Sequence, residues 1–295
     1  MKIGIVPNIS KPEVAKVLQD LISILQKNKI EFCIDEAARK CVNKNNIEIS
    51  PNKFFSVTAL ADICDLLVSI GGDGTMLKTA YNSRHSQIPM LGINLGKLGF
   101  LAELEQTKLE DLVVAINEKK YSIEERIALI GKTNSGNYNE LYAINDIVID
   151  RGRLPKMIKI SLKINGEKVS GFSADGIIVA TPTGSTGYSL STGGPIVTPS
   201  SNVVVITPIS PHTLNIRPLV ISSEQTIEII AESPSKIQMS ADGQRVHYYN
   251  SPLEITITKS EKSIRLFHMS NFSYFGLLRH KLYWGIDLRD KKEEL

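Results

Sequence analysis

The chain has 295 residues, with 42% hydrophobic and 22% charged side chains, a composition typical of a globular protein with a sizeable core, and a length that favours two domains. Its 34 basic and 31 acidic residues give a formal net charge of +3, too small to indicate binding to nucleic acid or to an anionic membrane. No stretch reaches the roughly 18 apolar residues of a membrane span, and we expect no signal peptide at the N-terminus.

The first third of the sequence alternates between strand-like and helix-like patterns. Residues 11–27 carry apolar side chains at a helical period, whereas residues 66–70 form a continuous apolar run of the kind that a parallel sheet buries on both faces. Strands are expected at residues 2–6, 66–70 and 90–93, and helices at 11–27, 76–82 and 109–119. This alternation predicts an α/β domain.

The pattern changes after about residue 120, where short runs rich in Val, Ile and Thr are separated by turn residues. Strands are expected at residues 143–150, 157–164, 176–180, 203–207, 226–230, 236–240 and 253–258. We predict a β-rich, sandwich-like domain over residues 121–270. Residues 274–284 are expected to form a helix that returns to the first domain, made of residues 1–120 and 271–295, with Tyr283 and Trp284 supplying its apolar contact.

A glycine-rich turn in "SIGGDGTML" joins the predicted strand at 66–70 to the next helix. It has neither the Walker A spacing nor the GxGxxG spacing of dinucleotide-binding folds. One interpretation is a tight turn in which Asp73 or Thr75 caps the helix. The other is a phosphate site on backbone amides at a helix N-terminus. A carboxylate beside phosphates repels them unless a cation intervenes or it accepts a proton from an attacking hydroxyl, so Asp73 favours a hydroxyl kinase without a P-loop.

Two further stretches carry polar groups that a ligand could use. "SADGIIVATPTGSTGYSLSTGGPIV", residues 173–197, concentrates hydroxyls and backbone amides that suit ribose and phosphate oxygens, although a surface loop has a similar composition. "YAINDIVIDRG", residues 142–152, interrupts an apolar run with Asn145 and Asp146, which indicates either a β-bulge or a pair of ligand-binding side chains.

Cysteine and histidine spacing gives no sign of a metal site. Cys33, Cys41 and Cys64 form no CxxC pair, and the five histidines show no HExxH or HxxxH spacing. An odd number of cysteines without zinc-type spacing predicts reduced thiols in a cytoplasmic protein. We expect no protein-built metal site.

Taken together, these stretches resemble the NAD kinase family, whose members use ATP or polyphosphate. "SIGGDGTML", "LGINLGKLGFLAEL", "NDIVIDRG", "ADGIIVATPTGSTGYSLSTGGPIV", "ADGQ" and "LRHKLYWG" are similar to successive motifs of that family and span most of the chain. GGDGT alone is shared with diacylglycerol-type lipid kinases and, in variant form, with phosphofructokinases. The long TPTGSTGYSLS stretch separates the NAD kinases from both.

The resemblance implies phosphoryl transfer to the 2′-hydroxyl of the adenosine ribose of NAD, giving NADP. It implies that Asp73 is the base that takes the proton from this hydroxyl. It also implies assembly as a homodimer or homotetramer. Because no His/Cys cluster is present and phosphate charge beside Asp73 must be neutralised, we expect a divalent cation, Mg²⁺, held mainly by donor phosphates. The residues implied to bind the nucleotides are Gly71, Gly72, Asp73, Gly74, Lys78, Asn145, Asp146, Lys156, Ser173, Asp175, Thr186, Gly187, Tyr188, Ser189, Leu190, Ser191 and Gln244.

The sequence departs from the family pattern at two positions. Asp146 stands where a glutamate is commonest, so its carboxylate has a shorter reach, and Gly187 stands where many members have alanine. Two other functions remain open at this point: a lipid kinase that shares GGDG, and a nucleotide-sensing protein without turnover. The donor, ATP or polyphosphate, is also left open.

Overall fold

In a computed structural model the protein is described over residues 1–96, 99–134, 140–153, 156–270 and 272–285. The first part of the chain alternates between strands and helices. Its strands are β1 (Lys2–Pro7), β2 (Glu31–Asp35), β3 (Phe54–Phe55), β4 (Leu66–Gly71), β5 (Pro89–Asn94), β6 (Leu104–Glu105) and β7 (Tyr121–Arg126). Its helices are α1 (Val14–Lys27), α2 (Arg39–Lys44), α3 (Val57–Ile63), α4 (Asp73–Asn82) and α5 (Leu109–Glu118).

Strands dominate the remainder of the chain. They are β8 (Leu129–Thr133), β9 (Glu140–Ala143), β10 (Asp146–Asp150), β11 (Ile158–Ile164), β12 (Glu167–Ala174), β13 (Gly176–Ala180), β14 (Val203–Ile209), β15 (Leu219–Ser222), β16 (Ile227–Glu232), β17 (Ile237–Ala241), β18 (Arg245–Tyr249), β19 (Leu253–Lys259) and β20 (Ile264–Met269). Two helices accompany them, α6 (Tyr188–Ser191) and α7 (Tyr274–Leu282).

The first sheet has eight strands in the order β3-β2-β1-β4-β5-β20-β7, with β6 paired to β5. β1 pairs in parallel with β2 and β4, and β4 pairs in parallel with β5. Every residue of β4 is buried, because helices cover both faces of a parallel sheet. Helix α1 turns one apolar face, including Leu18, Leu21 and Leu25, into the same core as Ile3 and Ile5. The predicted α/β domain with a parallel sheet is confirmed.

Two six-stranded sheets form the β-rich part, in the orders β15-β14-β13-β10-β17-β18 and β12-β11-β16-β19-β8-β9. The pairs around the central strands β10 and β16 are antiparallel. Burial alternates along β11, and Ile160 and Ile229 of one sheet share a core with Ile147 and Val179 of the other. An alternating pattern of this kind is what two packed sheets require. The predicted antiparallel β-rich domain is confirmed.

Several elements have no clear signal in the sequence. β12 is buried only at its last residue and β18 only at Tyr249, and α2 and α3 span only six and seven residues. Short elements of this kind show too few periods for their apolar pattern to be recognised. The sequence-based description therefore missed them, together with β2, β3, β6, β7, β8, β15 and β20.

The contacts within the chain divide it into two compact units. Unit 1 combines Met1–Glu124 with the segment that begins at Leu266, and unit 2 spans Glu125–Arg265. The sequence-based limits were residues 1–120 with 271–295, and residues 121–270. The predicted first domain also includes residues from 286 onward, which lie outside the described part of the chain. No helix among the described residues combines the length and apolar character of a membrane span.

The expected apolar contact of the terminal helix is corrected by the structure. Tyr283 and Trp284 are 56% and 57% exposed, so they do not supply it. The helix ends at Leu282, one residue before Tyr283, whose backbone has a positive φ. Leu277 and Leu278 are the buried side chains of α7 instead. The aromatic residues follow the last helical turn and are therefore carried away from its buried face.

The return of α7 to the first domain is kept as a prediction, and it can be tested through Leu278. If the helix packs on the first domain, Leu278→Ala removes buried methyl groups and should lower the free energy of unfolding by about 2–4 kcal/mol. The matched control is Phe275→Ala on the exposed side of the same helix. Its effect should stay within about 0.5 kcal/mol. Equal effects of the two substitutions in urea unfolding would contradict a packed helix.

Candidate active site

The glycine turn of unit 1 is built where the buried strand β4 meets helix α4. Gly71 ends the strand, and a Cβ atom there would lie 2.1 Å from Oγ1 of Thr75. Gly72 occupies the N-cap position of α4, and no side chain caps the helix. The backbone amides of Thr75 and Met76 donate to the carbonyl of Gly72 instead. The turn is therefore as tight as backbone atoms allow.

The carboxylate of Asp73 is held by three consecutive backbone amides. Phe100 N donates to Oδ2 at 2.8 Å, and Leu101 N and Ala102 N both donate to Oδ1 at 3.0 Å. Gly99 closes this turn through a hydrogen bond from its amide to the Ala102 carbonyl. A Cβ atom on Gly99 would lie 1.8 Å from Oδ1 of Asp73, so only glycine fits there.

This arrangement tests the helix-cap interpretation of Asp73. Its side chain does not cap α4, so the helix-cap interpretation is wrong. An ionised carboxylate can accept about four hydrogen bonds, and three of these positions are filled by the amides. The remaining acceptor position belongs to Oδ2, which receives one amide where Oδ1 receives two. Asp73 thus has a fixed orientation, and one acceptor position on Oδ2 receives no hydrogen bond from the described residues.

In unit 2 the carboxylate of Asp242 gathers three consecutive amides in a similar way. Its Oδ1 accepts from the backbone of Ile144 at 2.9 Å, Asn145 at 2.7 Å and Asp146 at 3.4 Å. These bonds replace strand pairing, so β9 ends at Ala143 and β10 begins at Asp146. The single strand predicted over residues 143–150 is therefore wrong in its first part. The turn presents Asn145 and Asp146 side by side.

Asp146 and Asp242 are neighbouring buried carboxylates with different partners. Burial and the charge of Asp242 raise the pKa of Asp146 to about 7. Burial also raises the pKa of Asp242, although the amides of the turn and the guanidinium of Arg245, 2.6 Å away, oppose this. Asp146 is 6% exposed and has no such cationic partner within the described residues. Asp146 can therefore exchange a proton near neutral pH.

Asn145 contributes a polar atom that no other described residue satisfies. Its Oδ1 is buried and has no hydrogen-bond partner there. Its carbonyl accepts from Thr181 N, and a Cβ atom on Gly184 would lie 2.1 Å from that same oxygen. The TPTGSTG segment therefore packs its backbone directly against this turn. An orphaned buried acceptor is costly unless a ligand supplies the donor.

The segment that follows Gly184 forms a short 3-10 helix, Gly184–Thr186, and then α6. Ser189 is buried and shares a hydrogen bond of 2.8 Å with Thr207 Oγ1, which fixes α6 onto β14. Tyr188 is partly exposed, and its hydroxyl lies in a field of carboxylates. Burial, and then the charges of Asp150, Asp175 and Asp146, raise the pKa of Tyr188. Tyr188 therefore stays a neutral hydrogen-bonding group beside these acids.

Comparison with known proteins identifies the family. Residues 3–121 match the ATP-NAD kinase N-terminal domain, and residues 144–269 match the ATP-NAD kinase C-terminal domain. The NAD kinase of Prosthecochloris aestuarii is 40% identical over 287 residues, which cover 97% of this chain and 98% of that protein. The chain belongs to the NAD kinase family.

Other similar proteins carry the same description. The NAD kinase of Christiangramia forsetii is 37% identical over 294 residues, covering 98% of this chain and 100% of that protein. The crystal structure of yeast NADH kinase complexed with NADH has a TM-score of 0.89 and 25% identity, covering 99% of this chain and 90% of that one. An NAD kinase from Archaeoglobus fulgidus in complex with ATP has a TM-score of 0.74 and 28% identity, with coverages of 96% and 99%.

The remaining residues implied by the NAD kinase resemblance have diverse surroundings. Asp175 accepts a hydrogen bond of 2.7 Å from Arg151 Nε, at the crossing between β12 and β13 that also holds Ser173. Lys78 is exposed on α4, within electrostatic range of Asp35. Five more are also exposed: Gly74, Lys156, Gly187, Ser191 and Gln244.

Sequence reasoning missed the residues that hold the candidate site in place. Asp242 and the amides of residues 100–102 lie inside stretches that resemble NAD kinase motifs, "ADGQ" and "LGINLGKLGFLAEL". The motifs drew attention to both stretches but gave no role to these groups. Backbone amides have no sequence signature, and Asp242 acts on residues 96 to 98 positions away. Only the folded chain reveals these contacts.

Asp146 makes stability depend on pH in a direction that can be measured. Because its pKa rises from 3.8 to about 7 on folding, the folded protein keeps a proton that the unfolded chain releases in this window. The free energy of unfolding contributed by this group therefore falls as pH rises from about 4 to about 7. The asparagine of Asp146→Asn does not titrate. Relative to the unsubstituted protein, the free energy of unfolding of this variant should therefore rise by up to about 4 kcal/mol between pH 4 and pH 8.

Urea unfolding at the two pH values checks this prediction. Asp20→Asn, on the exposed surface of α1, is the control and should leave the difference between the two pH values unchanged. An Asp146→Asn protein with the pH dependence of the unsubstituted protein would contradict the assignment.

Proposed function

We propose that this protein transfers a phosphoryl group from ATP, or from another phosphate donor, to the 2′-hydroxyl of the adenosine ribose of NAD, forming NADP. The observation that carries the proposal is the Asp73 carboxylate, which three amides fix in one orientation with an acceptor position left on Oδ2. Family membership supports the substrates, because similar proteins are named NAD kinase and the structural relatives hold NADH and ATP.

The chemistry assigned to Asp73 is general base catalysis. Oδ2 accepts the proton of the 2′-hydroxyl while the hydroxyl oxygen forms a bond to the terminal phosphorus of the donor. The bond between that phosphorus and its bridging oxygen breaks, and the shortened donor leaves with the electron pair. The amides hold the carboxylate so that no reorientation is needed when the proton moves, which is the advantage of a preorganised site.

Unit 2 is assigned the recognition of NAD. The orphaned Oδ1 of Asn145 accepts a hydrogen bond that an adenosine hydroxyl or amino group can donate. Asp146, whose pKa is about 7, can either accept or donate a hydrogen bond near neutral pH. Tyr188 offers an exposed ring and a neutral hydroxyl beside them. The proposal extends nucleotide binding to Lys156, Ser173, Asp175, Gln244 and residues 186–191, and to Gly71, Gly72, Gly74 and Lys78 in unit 1.

A divalent cation, Mg²⁺ in the first instance, is part of the proposal. The described part of the chain has no group of three or more His, Cys, Asp or Glu side chains that could hold a metal ion. An ion that neutralises phosphate charge would therefore be held mainly by donor phosphates. Among the described residues, only backbone amides donate to Asp73, so a donor could approach the carboxylate together with its cation. When bound, the ion would supply charge neutralisation.

Removal of divalent cations tests this part of the proposal. We expect excess EDTA to lower NADP formation by at least roughly 100-fold, because phosphate charge beside Asp73 is then uncompensated. Mg²⁺ in excess over EDTA should restore the rate. Calorimetric NAD binding measured in EDTA should be unchanged, since the residues assigned to NAD carry no metal. Full turnover after complete chelation would refute the requirement.

Self-association and a cytoplasmic location complete the proposal. β15 and β18 are the two edges of one sheet, and both expose apolar side chains: Leu219 and Val220 on β15, and Val246 and Tyr248 on β18. Exposed apolar edges favour association with another copy, as a homodimer or homotetramer. The three cysteines are unpaired thiols, which suits the cytoplasm. The small net charge argues against nucleic acid or a membrane as a partner.

Two alternative functions were open from the sequence alone. Nothing in the family matches or the relatives described above points to a lipid kinase. A nucleotide-sensing protein without turnover would have no use for a carboxylate with a free acceptor position at the glycine turn. An assay with NAD, Mg²⁺ and each donor in turn, followed by a dehydrogenase that uses only NADP, separates these functions and identifies the donor.

Asp73→Asn tests the base. We expect turnover to fall by roughly 10²–10⁴-fold, the usual contribution of a positioned base, with NAD affinity nearly unchanged. The amide oxygen can keep the bonds from Leu101 and Ala102, but its nitrogen then faces the amide of Phe100. The variant should therefore also lose about 1–3 kcal/mol of stability. Steady-state NADP formation, calorimetric NAD binding and urea unfolding on one preparation measure all three effects.

A control separates the loss of basicity from the loss of support. Gly99→Ala keeps the Asp73 carboxylate but forces it out of the amide turn. We expect a smaller loss of turnover for Gly99→Ala than for Asp73→Asn. Near-normal turnover of a folded Asp73→Asn protein would disprove the base assignment, and lost NAD binding would place Asp73 among the binding groups instead.

A further inference from the structure

A buried histidine in unit 1 lies between two carboxylates. His268, on β20, places Nδ1 2.6 Å from Oε2 of Glu103 and Nε2 2.8 Å from Oε2 of Glu124. Its ring stacks on Phe272, with centroids 4.0 Å apart. Oε1 of Glu103 also accepts from the backbone amide of Met269 at 3.3 Å. This cluster, His268 with Glu103 and Glu124, has no part in the chemistry described above.

The geometry of the cluster requires a doubly protonated ring or a protonated carboxyl group. A neutral imidazole donates from one nitrogen only, and its other nitrogen would face a carboxylate oxygen as a second acceptor. An imidazolium donates from both nitrogens and carries the charge that two neighbouring carboxylates favour. Burial opposes the charged ring, but hydrogen bonds to Glu103 and Glu124, and their charges, raise the pKa of His268 above its ordinary value.

Glu103 connects this cluster to the turn that holds Asp73. It directly follows residues 100–102, whose amides donate to the Asp73 carboxylate. The other side of the turn is fixed by packing, because a Cβ atom on Gly92 would lie 2.6 Å from Cα of Ala102. Gly92 limits how far the turn can move toward β5. At the C-terminal end of the turn, the Glu103 side chain contacts His268 of β20 through an ionic hydrogen bond. This contact holds that end of the turn in place.

We propose that His268 is a positioning residue, which through its bond to Glu103 holds the amides of residues 100–102 in the orientation that fixes Asp73. The inference rests on the proposed function for its effect on turnover, but the orientation of the amides can be measured independently. The hydrogen bond to Glu124 holds the ring against β7, and the hydrogen bond to Glu103 holds the end of the turn against the ring. Loss of the Glu103 bond should therefore affect the turn more than loss of the Glu124 bond.

The restraint that His268 places on the turn through Glu103, here called the clamp, should weaken as pH rises. Since the pKa of His268 is raised by folding, its contribution is complete below about 6.5, the ordinary histidine value, and is lost as pH rises through the higher folded value. Glu103 and Glu124 are the charged groups that act on the ring. Glu103 also borders a cavity of about 320 Å³. The other charged or titratable residues that line this cavity are Glu105, Lys108, Asp111 and His280.

Two substitutions separate the two bonds. The amide nitrogen of His268→Asn occupies the place of Nδ1 and can still donate to Glu103, whereas that of His268→Gln occupies the place of Nε2 and donates to Glu124. We expect His268→Gln to lower kcat about tenfold, the effect of one ordinary hydrogen bond, with the KM for NAD within about twofold. His268→Asn should keep most of kcat, and both variants should lose the alkaline decline that titration of His268 gives the unsubstituted protein.

Hydrogen exchange measures the turn directly. The amides of residues 100–102 should exchange about tenfold faster in His268→Gln and close to the original rate in His268→Asn. His85→Gln is the control, because His85 forms a 3.1 Å pair with Asp62, a residue of the same unit outside the turn. It should change neither exchange at residues 100–102 nor kcat.

Exchange and kcat of His268→Gln within twofold of the original values would overturn the proposal, as would equal losses in both variants without faster exchange. If the unsubstituted protein forms no NADP with any donor, the proposed function fails, while the exchange rates still decide whether the clamp exists. If His268→Gln does not fold, Glu103→Gln decides. It removes one of the charges that keep His268 protonated, so the alkaline decline of kcat, or in its absence the pH dependence of exchange, should move to lower pH. No movement would overturn the proposal.

Discussion

The contact between the Asp73 carboxylate and three consecutive backbone amides is the constraint on which the rest of unit 1 depends. Residues 100–102 can donate together only if their chain turns back on itself within hydrogen-bond reach of α4. Gly99 is required because any side chain there would collide with the carboxylate, and Gly92 is required because Ala102 lies against it. The buried parallel strands β4 and β5 hold both sides of this contact in register.

Unit 2 contains the same arrangement of one carboxylate and three consecutive amides. Asp242 also gathers three consecutive amides, and it interrupts a strand to do so. There Asp242 fixes a turn of the chain, and two residues of that turn, Asn145 and Asp146, are the proposed binding groups. In unit 1 the gathering carboxylate is itself the proposed base. One local geometry thus fixes the proposed base in one unit and positions the proposed binding groups in the other.

The sequence predicts the elements whose pattern is local, and it fails where a distant side chain decides the structure. β4, α4 and the glycine turn follow from an apolar run and the residues next to it. The break at Asn145 does not, because an aspartate almost a hundred residues away pulls the amides out of the strand. The predicted burial of Tyr283 and Trp284 is wrong because the helix ends at Leu282. Their apolar character would indicate burial only if the helix continued through them. The candidate residues were found by motif, but their supports were not.

The hydrogen-bond partners of Asp242 and Asp73 differ in a way that suits their proposed roles. Asp242, whose position is structural, has the guanidinium of Arg245 beside it as well as the amides. Asp73 has amides alone among its hydrogen-bond donors in the described part of the chain. If Asp73 is the base, a guanidinium beside it would lower its affinity for a proton and would compete with a cation bound to the donor phosphates. Amide dipoles orient the carboxylate without adding a unit charge. Under the proposed roles, a cationic side chain stabilises a supporting carboxylate, as Arg245 does for Asp242, while the proposed base is held by neutral amides in the described part of the chain.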